Sequence, residues 1–249
     1  MRPLKRIPTA KNATATLKTR DKVTIQLAQM MESGLGAIDN VWFPGETWVD
    51  QDVDGALNAQ NDRAYYPQWV KKDEVAGELM KPRKQRAPGI MAHLTVSPHG
   101  GGTVLKPYFA PHGTTIAAQY YRGMLEGDIL RHLDVEMGGA PYWFQQDLDS
   151  PRAAKITKGL FDKEPRAKLL PWTPAGADFS PLDVFVNPSL KEELREKDIG
   201  ALAKLQLETS LAIDRLSKDA AWRAKLVATC RAFQKRATWV ATDRSARRT

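Results

Sequence analysis

The residues of this sequence best placed for chemistry are two aspartates. Trp143-Phe144-Gln145-Gln146-Asp147 is a short apolar run that ends in a carboxylate. At the C-terminal end of a strand in an open α/β sheet, a side chain stands where such sheets bind their ligands. Leu169-Leu170-Pro171-Trp172, followed by Asp178-Phe179-Ser180-Pro181-Leu182-Asp183, reads as a strand and loop that deliver Asp183 into the first turn of a helix. The stretch between Asp147 and Asp183 has the length of one helix–strand–loop unit, so the two carboxylates can converge on hard cations. Magnesium takes oxygen ligands in octahedral geometry and is commonly held by one or two carboxylates plus substrate phosphate. Two such ions, about 3.5–4 Å apart, stabilise both the attacking and the leaving oxygen of a phosphodiester. Taken singly, each aspartate has a plainer role: Asp147 as a turn residue at a strand end, Asp183 as a complement to a helix dipole.

The elements that must position these residues follow from periodicity. Val23, Leu27, Met30 and Met31 fall at helical spacing, predicting a helix over 21–33 that Gly34 and Gly36 stop. Val41 to Val49 is rich in aromatic and β-branched residues and reads as a strand, with a short second one near Arg63–Tyr66. A charged, proline-containing connection covers 70–88. Gly89–Val96 and Val104–Phe109 flank Pro98-His99-Gly100-Gly101-Gly102 and predict a hairpin. Helical spacing marks 117–133, ended by Gly138-Gly139. Tyr142–Gln146 reads as a strand, 151–163 as a helix, Lys168–Trp172 as a strand, and Pro181–Lys197 as a helix that Pro188 must kink or split. Residues 199–240 are strongly helical, and Arg244 to Thr249 reads as a disordered basic tail. Strands alternating with helices in this way predict an α/β domain with a mixed sheet.

Composition narrows the function classes. The 249 residues suit one large domain with appendages, and 42% hydrophobic residues suffice for a core. Lys and Arg number 37 against 29 Asp and Glu, a formal charge of +8 that favours polyanionic partners, although a solvated basic surface gives the same number. The single cysteine, Cys230, makes neither an internal disulfide nor a cysteine zinc site, which suits an intracellular protein. No apolar run approaches a membrane span, and the basic start, Met1 to Lys5, is not followed by the apolar region of a secretory signal. His93, His99, His112 and His132 lack metal-ligand spacing and read as surface or satisfied core residues. Gly100-Gly101-Gly102 reads as a turn, because no Lys-Ser/Thr pair and helix follow it. Trp222 and Trp239 read as core residues of the C-terminal helices.

Three segments carry a resemblance to a known family. Phe144-Gln145-Gln146-Asp147, and then Leu169-Leu170-Pro171-Trp172 with Asp178-Phe179-Ser180-Pro181-Leu182-Asp183, resemble the second and third catalytic blocks of mariner-like DDE/D transposases. Val41-Trp42-Phe43-Pro44-Gly45-Glu46-Thr47-Trp48 resembles the first block, and Gln60-Asn61-Asp62-Arg63-Ala64-Tyr65 the segment that follows it in some members. The resemblance runs from about residue 22 to residue 197. It implies an RNase H-like mixed β-sheet flanked by helices over 21–197, after a basic tail or linker remnant at 1–20 and before a C-terminal helical extension with a basic tail at 198–249. A three-strand meander followed by alternating helices and strands is the order of that fold.

The family's reaction is cut-and-paste DNA transposition, in which water and then a DNA 3′-hydroxyl attack a phosphodiester with two Mg²⁺ or Mn²⁺ ions held by three carboxylates. The resemblance assigns the second carboxylate to Asp147 and the third to Asp183. The first falls on Gly45, which offers no side chain. Glu46 is adjacent, but neighbouring strand residues point to opposite faces. Asp50 and Asp52 are the remaining candidates for a substitute. Ser150 stands where the second block has proline, Arg152 where it has histidine, and Gly176-Ala177 replace the Ser-Pro before Asp178. Fewer residues precede Val41 than the family's end-reading helix-turn-helix region needs. A decayed or truncated copy explains these departures together, and so does a domesticated DNA-binding derivative. The expected function is thus a transposase-derived DNA-interacting domain with impaired catalysis. The alternatives are an active metal-dependent nuclease or strand transferase with a substitute carboxylate, and a non-catalytic interaction module. Expected partners are DNA, contacted by Lys81, Arg83, Lys84, Arg86 and Arg152, and a second copy in a possible homodimer. No membrane partner is expected, and the nucleus is the expected location.

Overall fold

The computed structural model describes residues 38–50, 88–114, 116–146, 154–172, 180–195, 197 and 199–246, together with positions 23, 26 and 29; side chains are described as far as residue 233. The described strands form one sheet. β1 (Val41–Asp50) lies at its centre, with β2 (Gly89–Ser97) antiparallel on one side and β5 (Tyr142–Gln145) parallel on the other. β6 (Ala167–Leu170) extends the parallel half. Two short strands, β3 (Thr103–Val104) and β4 (Tyr108–Phe109), complete the antiparallel edge along β2. The mixed sheet expected from the block order is therefore present, and the strand that holds Trp42 to Trp48 lies directly beside the one that holds Tyr142 to Gln145, with Val41 opposite Trp143 and Trp42 opposite Phe144.

Alternation along β1 divides its side chains between two cores. Val41, Phe43 and Val49 enter one core, and Trp42 enters the other. The Trp42 core is closed by α1 (Ala118–Met124), a π-helical turn (Leu125–Ile129), α2 (Leu130–Glu136) and α3 (Lys155–Phe161). The Phe43 core is closed by a second π-helical turn (Leu182–Val186), α4 (Asn187–Leu194), α5 (Leu202–Lys218) and α6 (Ala220–Ala246). Leu205, Ile213, Trp222, Leu226 and Phe233 share that core with Val41, Phe43 and Leu94, so the C-terminal helices pack directly on the central strands.

Pro44 looks out of place in a central strand, since it cannot donate to a ladder. Its position resolves this. Thr95, its partner on β2, turns its carbonyl away from β1 to accept the N–H of Leu105. Pro44 and Thr95 are therefore a non-hydrogen-bonded pair. The absent N–H points toward the β5 side, where the ladder with β5 pairs only Val41 and Trp42.

Several expectations are corrected. The strand expected over 104–109 is divided. Its register against β2 shifts by one residue between Val104, opposite Val96, and Tyr108, opposite His93, so Lys106-Pro107 forms a bulge. The helix expected over 117–133 runs from Ala118 to Glu136 and contains a π-helical turn. Gly138 closes it at φ 55, with the 138 N–H on Val135 and the 139 N–H on Asp134. The helix from Pro181 changes next to Pro188, from a π-helical turn (Leu182–Val186) to α4 (Asn187–Leu194), and Pro188 falls at the opening positions of α4. The helical run over 199–240 is two helices, divided at Asp219, whose carboxylate accepts the N–H groups of Ala221 (2.8 Å) and Trp222 (3.2 Å) and caps α6. Residues 244–246 of the expected disordered tail continue α6. Of the helix expected over 21–33, Val23, Gln26 and Gln29 are helical; the strand near 63–66, the tail over 1–20 and residues 247–249 lie outside the described residues.

Candidate active site

Gly45 sits in mid-β1 opposite Leu94, on the face that Phe43 and Leu94 bury. A β-carbon added at Gly45 would meet Cδ1 of Leu182 at 2.9 Å. Leu182 opens the second π-helical turn, is 3% exposed and belongs to the Phe43 core. Asp183 follows it in the first turn of that segment, at the surface. β1 and this helical segment thus meet at Gly45 and Leu182, one residue before Asp183. Asp147 lies outside the described residues, as do Asp52, Ser150, Arg152, Gly176, Ala177, Asp178, Lys81, Arg83, Lys84 and Arg86.

Other residues near the site divide by face. Glu46 pairs across the ladder with His93, on the face opposite Gly45 and Leu182, as alternation requires. Asp50 lies at the far end of β1, on the Glu46 face, and accepts the indole N–H of Trp48 at 2.5 Å. It thus points to the face away from the Gly45 position. Gln145 and Gln146, at the end of β5, are both buried. Gln146 Nε2 donates to the Tyr121 hydroxyl at 3.2 Å and ties the end of β5 to α1.

His93 departs from the sequence reading. It is buried, but Nε2 has no hydrogen-bond partner among the described residues. Burial pushes its pKa down from the ordinary 6.5 to about 3, so the ring is neutral. It faces the Tyr121 ring at 6.2 Å between centroids and Tyr108 on β4, whose hydroxyl shares a 2.9 Å hydrogen bond with that of Tyr120. This polar layer of His93, Tyr121 and Gln146 was missed from the sequence, where the signal was a glutamine immediately before Asp147. His99 is half-buried and His112 and His132 are exposed, consistent with surface roles. Trp222 is core, as expected, and stacks on Phe185 at 5.2 Å; the Trp239 side chain lies outside the described residues. A cavity of about 610 Å³ opens between β4, α2 and α5, with Lys106, Asp128, His132 and Gln206 among its walls. Among the described residues, no three His, Cys, Asp or Glu side chains gather in a way that could hold a metal ion.

With the geometry in view, the relatives can be compared. No family model matches the sequence, and no curated protein matches it. Solved structures do. The Mos1 mariner paired-end complex with Mn aligns over 97% of this chain and 65% of its own, at a TM-score of 0.68 and 13% identity. The catalytic domain of Mos1 mariner transposase aligns over 97% of this chain and 98% of its own, at a TM-score of 0.63 and 11% identity. This chain has the fold of a mariner transposase catalytic domain. It spans 65% of the longer Mos1 chain in its paired-end complex. The Mos1 paired-end complex has also been solved with Mg, at a TM-score of 0.61 and 13% identity, over 90% of this chain and 62% of that one.

Proposed function

We propose that the chain is a transposase-derived, DNA-interacting domain whose phosphodiester chemistry is impaired. Support for the DNA-interacting part comes from the mariner catalytic-domain fold, the three sequence blocks in their order, and the +8 charge. Lys81, Arg83, Lys84, Arg86 and Arg152 are proposed to meet the DNA backbone, with a homodimer as the assembly and the nucleus as the location.

The observation that carries the impairment is at Gly45. A Mg²⁺ or Mn²⁺ pair, which this family uses, would be held by Asp147, Asp183 and a carboxylate at this position. Among the described residues, nothing supplies that third carboxylate. Gly45 offers no oxygen, a methyl group of Leu182 would lie 2.9 Å from a β-carbon added there, Glu46 lies on the other face, and Asp50 is engaged with Trp48.

The test is a cleavage assay on a DNA duplex with Mg²⁺ or Mn²⁺, paired with a binding series in salt. DNA should be bound and left intact. Metal-dependent nicking that disappears in Asp147→Ala would replace this reading with that of an active nuclease. A chain that retains no DNA even at low salt would be a protein-interaction module instead.

A further inference from the structure

The backbone at Gly45 gives no reason for glycine, since it is not among the positive-φ residues. Strand interiors favour almost any residue over glycine, because glycine loses the most conformational freedom on folding. What crowds a side chain there is the neighbour: carbon atoms in good contact stand about 3.5–4.0 Å apart, and Cδ1 of Leu182, the end of its side chain, would be 2.9 Å from the new β-carbon and must shift to admit it. Moving the Leu182 side chain out would cost it core contact. It is buried in the Phe43 core, and its backbone is held between Pro181 and a π-helical turn in which the Asn187 N–H reaches back to the Leu182 carbonyl.

We infer that Leu182 is a plug. It crowds the space that a first carboxylate would enter, and makes this half-buried part of the site a contact between β1 and the helical segment that carries Asp183. Refusal of metal is then a property of two residues, Gly45 and Leu182, and restoring the carboxylate alone does not reverse it. Gly45→Asp would bring a carboxylate stem against a methyl group of Leu182, which must move before the carboxylate can be accommodated. The metal part of this inference rests on the proposed reading of Gly45 as the first ligand position; the packing part does not.

Two measurements separate these parts. In the first, melting temperatures of the full chain are compared for the unaltered protein, Gly45→Ala, Leu182→Ala and the double variant. The plug requires Gly45→Ala to lower the midpoint, by about 2–4 °C, although alanine is the better strand residue, and the drop to vanish when Leu182 is also alanine. A Gly45→Ala midpoint that rises equally in both backgrounds overturns the plug. In the second, Mn²⁺ alone is titrated calorimetrically into the unaltered chain, Gly45→Asp, and Gly45→Asp with Leu182→Ala. Affinity should rise by about tenfold or more in the double variant only. A single Gly45→Asp that binds as tightly as the double overturns the plug. Melting coupling without any gain of Mn²⁺ affinity in the double variant leaves the plug standing, and shows that Gly45 is not the lost ligand position. Should the aspartate variants fail to fold, the alanine cycle still decides the packing claim.

Discussion

His93 shows how a single residue ties the sheet to pH. Buried and neutral, with Glu46 opposite it on β1, Tyr108 beside it on β4 and the Tyr121 ring above it from α1, it takes up a proton in the folded chain only near pH 3. Unfolded, it does so near its ordinary value of 6.5. Between these limits the unfolded chain binds more protons, so stability falls as pH drops from about 6.5 toward about 3 and is fully present above 6.5. The urea midpoint should therefore fall more steeply with acid in the unaltered chain than in His93→Gln, the difference reaching about 1.4 kcal/mol per pH unit. Parallel slopes would mean that His93 protonates within the fold. Neither His93 nor Leu182 could be assigned from the sequence. A histidine in a strand reads alike whether its ring is bonded or orphaned, and a leucine at a helix start reads as core whatever it covers. Asp147 and Asp183 were singled out because each lies beyond an apolar run with the length of a strand; Asp147 lies outside the described residues.

Among the elements, β1 and β5 were legible as neighbours because both are rich in aromatic residues and set in the order of a recognised fold. The interruptions were not. Lys106-Pro107 sits inside a run of strand-forming residues, and only the register against β2 exposes the bulge there. Helical periodicity likewise passes through Asp219, since one extended residue between two helices leaves both apolar patterns intact. The cap itself can be measured. Asp219→Ala should destabilise the chain by about 0.5–2 kcal/mol in chemical denaturation, with Asp219→Asn retaining most of the stability. Equal losses in both variants would point to charge rather than to the hydrogen bonds on Ala221 and Trp222.

For the whole molecule, the excess of basic residues sets the expected binding behaviour. If the contacts are to phosphates, affinity for a duplex should fall by orders of magnitude between about 50 and 200 mM salt, with little preference for sequence. Because the proposed site refuses metal, that affinity should be the same in Mg²⁺ and in a chelator. A loss of binding on chelation would show that an ion bridges protein and DNA. The sheet also carries a π-helical turn on each face, one between α1 and α2 and one before α4. Such a turn holds one residue more than an α-helix needs, so it acts as a tolerated insertion. Deleting a residue from Val184–Val186 would draw the turn into a regular α-helix ahead of Pro188, with the segment before it and α4 each keeping its own register against the sheet. The surplus residue thus works as slack: the chain can lose one position there without resetting either end.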